Sequence, residues 1–203
     1  MIHWDCETRS QCEIRSSGSR VYAEHPSTDL WCIAWHDGDT AKSGVWLPGD
    51  PVPDVFCESL EIFSAWNCTF ERDIHNSILV PRYKFPPIAA DQWHDTAVLA
   101  RQYALPAALG NCAKALRFPV DDQKDAEGSR LMMQMAKPRS VLPSGEPIWW
   151  EETIEDLQKN HKEGKTSRLE RLIDYCVQDV RVEVQIYRYL EKKELCRNPK
   201  FLN

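Results

Sequence analysis

The sequence predicts an α/β fold: a mixed sheet of three antiparallel strands plus parallel strands, flanked by helices. Three observations carry this. Turn-bounded strand-like runs fill the first 47 residues, a short apolar run then empties into a helical segment, and from Asp95 onward the apolar spacing is almost wholly helical. A length of 203 residues with 42% hydrophobic and 28% charged side chains suits a single domain over 1–203 that carries insertions.

Taken in order, residues 2–6 (Ile-His-Trp-Asp-Cys) open the chain as a strand, and residues 20–23 (Arg-Val-Tyr-Ala) read as a second after a Ser-Ser-Gly turn. Residues 30–35 form a third run that the Asp37-Gly38-Asp39 turn joins to 42–47, a hairpin signal. Pro48, Pro51 and Pro53 end this meander, and Val55, Leu60, Ile62 and Phe63 give 54–62 the spacing of a short helix or its remnant. Residues 64–67 (Ser-Ala-Trp-Asn) read as a strand, 69–79 as a helix, and beyond Pro81, Pro86 and Pro87 helices are predicted over 95–103, 106–116, 121–135 and 167–194. Ser167 and Glu170 form a capping box for the last one, whose buried stripe runs Leu169, Leu172, Ile173, Cys176, Val180, Val184 and Tyr187. Pro138, Pro143, Gly145 and Pro147 mark 137–150 as a loop insertion with Trp149-Trp150 at its exit.

Composition excludes several classes. The balance of 25 Lys and Arg against 31 Asp and Glu, net −6, argues against a protein that grips duplex nucleic acid mainly through counterion release. Eight scattered cysteines without a C-x-x-C pair or a leading signal segment fit a reduced, cytoplasmic setting better than a secreted disulfide scaffold. No apolar run approaches the ~20 residues that cross a bilayer, so a soluble protein with no membrane partner is expected.

Three constellations carry chemistry. Asp5 and Glu7 stand at i and i+2 on the first strand, so both carboxylates leave the same face roughly 6.5 to 7 Å apart along the chain, although an exposed acidic strand end has the same letters. Asn67 and Glu71 bracket a strand-to-helix junction, where the helix dipole favours a first-turn carboxylate and where an ordinary cap by Thr69 or Asn67 would look alike. Tyr175 and Asp179 share a face of the last helix along the border of its apolar stripe, and Asp179 also has Arg171 and Arg181 as possible surface partners. Converging carboxylates repel unless neutralised, and two divalent cations about 3.5 to 4 Å apart do this while clamping a phosphate. An all-oxygen ligand set favours Mg²⁺ or Mn²⁺ over Zn²⁺.

The motifs Asp5-x-Glu7-Thr8, Asn67-x-x-x-Glu71 and Tyr175-x-x-x-Asp179 together resemble those of the DnaQ-like, ribonuclease H-like DEDD 3'-5' exonucleases of the tyrosine subclass. The surrounding words look like the proofreading domain of phage-type family A DNA polymerases: the run from Val21 to Pro26, Asp95-Thr96 with Ala100-Arg101, Leu105-Pro106, and Lys124-Asp125 before Gly128. The resemblance spans about residues 2–190. It implies a ribonuclease H-like sheet and two-metal hydrolysis of phosphodiester bonds at DNA 3' ends, single-stranded or frayed, releasing 5'-mononucleotides. Asp5, Glu7, Glu71, Tyr175 and Asp179 would be the catalytic residues. Asp5, Glu7 and Asp179 would hold the first Mg²⁺ or Mn²⁺, Glu71 would support the second, and Tyr175 would orient the attacking water. Thr8 and Asn67 would touch the terminal nucleotide. Most of the wider family has Asp where this chain has Glu71, and a smaller or polar residue where it has Trp66, which either stacks on a base or fills core.

Lys124 is a candidate phosphate contact on a helix face that solvates lysines equally well, and Trp149-Trp150 is a stacking platform or is buried under its loop. His75 and His94 read as structural. The resemblance places the chain in a bacterial or phage-infected cell, with a DNA polymerase in cis or in trans as partner. The residues after the last helix are too few for a polymerase domain, which leaves a standalone exonuclease or a piece of a longer polymerase. RNA as substrate, as in oligoribonucleases, and a non-catalytic exonuclease-like binding module are the competing readings.

Overall fold

The computed structural model describes residues 1–58, 61–119, 126–152, 159–160, 162–164 and 166–197. Its centre is a five-stranded sheet in the order β3-β2-β1-β4-β5, built from β1 (Ile2–Arg9), β2 (Asp29–Asp37), β3 (Ser43–Trp46), β4 (Phe63–Ala65) and β5 (Trp93–Asp95). The first three strands pair antiparallel, whereas β1–β4 and β4–β5 are parallel. This mixed sheet with helices on both faces fits the α/β ribonuclease H-like fold.

The central strand explains the layering. Its even-numbered residues Ile2, Trp4 and Cys6 are buried in a cluster with Ile74, Ile78 and Leu79, which lie on helix α3 (Thr69–Ile74) and the π-helical turn His75–Leu79 that continues it. On the opposite face, Cys32 and Ala34 of β2 pack on Cys176, Val180 and Val184 of the C-terminal helix, Arg168–Arg197. Farther along, Val182, Ile186 and Leu190 meet Leu99 and Ala100 of helix Thr96–Gln102 and Leu109, Cys112 and Ala113 of helix Leu109–Ala115. Each buried Leu, Ile or Val stabilises by roughly 1.5–3 kcal/mol, so this long helix is fixed firmly against the sheet.

The C-terminal helix starts on its capping box: the Ser167 amide donates to Glu170 at 2.9 Å and the Glu170 amide to Ser167 Oγ at 3.0 Å. Other expectations need correction. Residues 20–23 lie in the helix Ser19–Glu24, where neighbouring Tyr22 and Ala23 are both buried, a pattern a half-buried strand does not give. β4 ends at Ala65, so Trp66 and Asn67 belong to the turn that follows, while the remnant of a helix expected within 54–62 is present as the 3-10 turn Asp54–Phe56. Asn67 has φ +64°, a left-handed conformation that stops a strand. Three-residue β5 carries no periodicity, and the helix that follows begins at Thr96. The 137–150 segment holds a hairpin of Ser140–Val141 and Pro147–Ile148 rather than a plain loop, with Gly145 at φ +89°. The predicted helix over 121–135 is present from Ala126 to Met135, and its earlier part lies outside the described residues. No helix among the described residues is long and apolar enough to cross a membrane.

Candidate active site

The parallel register sets Asp5 and Glu7 beyond the short strand β4, where the chain turns through Trp66 and Asn67 into α3. The three sequence motifs, far apart in the chain, line one cleft of about 620 Å³: Asp5, Glu7 and Thr8 from β1, Trp66, Asn67 and Glu71 from the turn and α3, and Tyr175 and Asp179 from the C-terminal helix. A second cleft of about 640 Å³ adjoins it and shares Asp5, Trp66, Asn67 and Asp179, adding Arg101 and Glu183. Lys124 lies outside the described residues.

Asp5 is half-buried, while Glu7, Glu71, Tyr175 and Asp179 are buried. One ligand atom from each of Asp5, Glu7 and Cys176 lies within 4.8 Å of the other two, a group able to hold a cation. Burial, and then the charge of Asp5, push the Glu71 carboxyl well above the usual carboxylate range. Its Oε2 is buried with no hydrogen-bond partner among the described residues. An anionic Glu71 therefore needs a cation in the cleft, and the oxygen donors around it suit a hard divalent ion. The residues present fit such a metal. Burial, followed by Asp179, Glu7 and Asp5, also pushes the Tyr175 hydroxyl upward, so it stays protonated at neutral pH.

The ordinary cap at α3 is not formed. Cys68 is the N-cap residue, in a helical conformation, and no side chain caps the helix. The turn is held from outside instead: Asp95 Oδ1 accepts the Asn67 amide at 3.2 Å and the Val98 amide at 3.0 Å. Asp95 thus caps its own helix and fixes the left-handed residue at the cleft. Trp66 packs against the Leu99–Ile186 cluster and lines both clefts, with its indole N–H donated to Ala107 O at 2.9 Å. Thr8 Oγ1 lies 2.8 Å from Tyr22 OH, which makes the helix Ser19–Glu24 part of the cleft wall.

His75 and His94 pack against neighbouring side chains. His75 is buried edge-on to the Trp4 and Trp93 rings, and His94 Nδ1 lies 3.3 Å from Ser64 Oγ. Trp149 and Trp150 are half-buried against Trp31, Met135 and Leu172. Sequence reasoning missed Glu183. It is 1% exposed, and its Oε1 accepts from Ser64 at 2.9 Å and Thr96 at 2.7 Å and lies 3.2 Å from His3 Nδ1. Its signal was available, because Tyr175, Asp179 and Glu183 repeat at four-residue spacing on one helix face. Lys137, which lines the cleft while ion-paired to Glu13, belongs to no motif.

No family model matches the chain. Over 200 residues, 94% of its length, it is 29% identical to a DNA polymerase of Bacillus phage SP02, and it spans 28% of that polymerase.

Proposed function

We propose that the chain is a metal-dependent 3'-5' exonuclease that trims the 3' end of single-stranded or frayed DNA. The observation that carries this reading is the convergence of Asp5, Glu7, Glu71, Tyr175 and Asp179 on one cleft, although the chain separates them by up to 174 positions, Asp5 to Asp179. The similarity to a phage DNA polymerase supports a proofreading or DNA-processing role, with polymerase in cis or in trans as the partner.

Asp5, Glu7 and Asp179 would hold one Mg²⁺ or Mn²⁺, and Glu71 would support a second. When bound, two such ions supply charge neutralisation at the scissile phosphate, an activated water and a stabilised leaving oxygen. The chain's own residues do the rest. Tyr175, held protonated by its buried, acidic surroundings, donates a hydrogen bond that orients the attacking water and does not remove its proton. Asn67 and Thr8 flank the terminal nucleotide, and Trp66 offers a stacking surface between the two clefts. The net charge of −6 suits brief, metal-dependent capture of one strand end better than a tight hold on duplex.

End-labelled single-stranded DNA with Mg²⁺ or Mn²⁺ should shorten stepwise to 5'-mononucleotides, and EDTA or Asp5→Ala should abolish this. No cleavage with either ion, or equal cleavage by Asp5→Ala, overturns the reading. A matched RNA oligomer cut faster than DNA would move the substrate to RNA.

A further inference from the structure

We infer that the groove between the edge strand β3 and the C-terminal helix is a docking site for an extended acidic peptide segment of a partner protein, which adds to β3 as a sixth strand. The groove, about 420 Å³, shares no residue with the two clefts of the candidate active site. Val45, Val177 and Val184 line it, and Val45 and Val177 remain 38% and 41% exposed, so nothing among the described residues covers them.

The strand itself offers main-chain partners. β3 pairs with β2 on one side and ends the sheet on the other. The Asp37 amide donates to the Lys42 carbonyl at 2.8 Å, and residues of an antiparallel ladder alternate between facing the partner strand and facing away. Counting from that pair, Gly44 and Trp46 bond to β2, whereas the N–H and C=O groups of Ser43 and Val45 point outward. An added peptide strand completes them. Val45 stands opposite Ala34, on the sheet face that carries the C-terminal helix, so alternate side chains of the added strand enter the groove.

Charge selects the occupant. Arg181 and Arg188 line the groove and no carboxylate does, in a chain of net charge −6 whose candidate active-site clefts are lined by carboxylates. Burial, then the charge of Arg188, hold the His36 ring below its usual pKa; its Nε2 lies 3.2 Å from the Arg188 guanidinium and its Nδ1 2.8 Å from Ser43 Oγ, which fixes Arg188 beside the strand edge. Seven residues set the two arginines about 10.5 Å apart along the helix. Carboxylates at i and i+4 of a strand stand roughly 13 Å apart with an apolar residue at i+2 between them, a difference that arginine side chains span. The segment therefore reads acidic-x-apolar-x-acidic. Nucleic acid fits less well, because Trp35 packs so closely under Gly44 that a Cβ there would meet its ring at 2.5 Å, which closes that face of the indole to a base.

A fluorescein-labelled eight-residue peptide with aspartate at its second and sixth positions, valine at its fourth and threonine elsewhere tests this by anisotropy with the full chain in EDTA. It should bind, more tightly at lower salt, and the same peptide with lysine for aspartate should bind at least about tenfold more weakly. Arg188→Glu should weaken the acidic peptide about tenfold or more and leave the proposed DNA trimming unchanged. Val45→Pro removes an outward amide without touching the β2 ladder and should abolish binding. No binding of the acidic peptide, equal binding of the lysine peptide, or undiminished binding by Arg188→Glu overturns the inference. So does tighter binding of oligothymidylate that Arg188→Glu abolishes, or a dimer in sedimentation that Val45→Pro dissolves. If circular dichroism shows that Val45→Pro fails to fold, Arg188→Glu and the lysine peptide decide. Peptide binding by a chain without nuclease activity overturns the nuclease reading alone, and nuclease activity without peptide binding overturns this one alone.

Discussion

His3 Nδ1 and Glu183 Oε1 lie 3.2 Å apart with both side chains 2% exposed, joining the central strand to the C-terminal helix in the interior. The same oxygen takes the hydroxyls of Ser64 on β4 and Thr96 at the start of the helix Thr96–Gln102 that follows β5. Glu183 sits one turn past Asp179, so this network fixes where the helix presents Asp179 to Asp5. Glu183→Ala leaves three buried polar groups without their acceptor and should destabilise the protein by about 3–5 kcal/mol, measured by urea denaturation. Glu183→Gln keeps an acceptor and should cost less. A Glu183→Ala stability equal to wild type would show that the network fixes nothing.

The alternating and heptad-like parts of the fold were legible in the sequence. β1, β2 and β3 showed through their apolar runs and the Asp-Gly turn, and the C-terminal helix through the Ser167–Glu170 box and its stripe. β5 was not, because three residues have no period and its place depends on pairing with β4. Residues 20–23 misled because Val21 and Tyr22 are good strand formers, yet Tyr22 is needed in a helix whose hydroxyl reaches Thr8. The cleft-lining positions were legible because their spacing is local: i and i+2 on a strand, i and i+4 on a helix. Lys137 and the Asp95–Asn67 contact were not, since each depends on elements brought together only by the fold, whereas Glu183 was within reach as the next member of the four-residue repeat of Tyr175 and Asp179.

His75 makes a measurable part of the protein's acid sensitivity. Burial against the Trp4 and Trp93 rings lowers its pKa from 6.5 to about 4. Above pH 6.5 the ring is neutral in both the folded and the unfolded chain, so its contribution is complete there. As pH falls from 6.5 toward 4 the unfolded chain binds a proton that the folded chain refuses, and about 3 kcal/mol of stability is lost. His75→Phe, which fits an aromatic pocket where Nε2 has no partner among the described residues, should lose less stability between pH 7 and pH 4. Identical pH profiles by chemical denaturation would refute this.

Asp95 and Asn67 separate backbone from side-chain roles at the cleft. Asp95→Ala removes a helix cap and the acceptor for the Asn67 amide, and should cost about 1–2 kcal/mol in stability with a fall in the rate of the proposed nuclease reaction. Asn67→Gly keeps the left-handed turn, because glycine adopts φ +64° freely, and deletes only the side chain. If that side chain touches the terminal nucleotide, Asn67→Gly should raise KM for a DNA end while leaving denaturation nearly unchanged. An unaltered KM would confine Asn67 to shaping the turn.

Arg9 links β1 to the 137–150 segment. Its guanidinium carbon lies 4.5 Å from the centre of the Trp31 ring and 5.2 Å from that of Trp149, and Nη1 pairs with Glu151 at 2.6 Å. Trp31 is the extra residue of the β2 bulge opposite the Glu7–Thr8 step, so the stack closes over the point where β1 leaves regular pairing. A partly desolvated cation over an aromatic face contributes about 1–2 kcal/mol. Trp149→Ala should therefore lower stability by that amount and expose the hairpin to limited proteolysis within 137–150, whereas Trp149→Phe should retain most of the protection. Because Asp5 and Glu7 are fixed independently by their pairing with Ala34 and Cys32, divalent-cation affinity measured by calorimetry should survive Trp149→Ala. Loss of cation binding along with the hairpin would mean that the segment shapes the metal cleft itself.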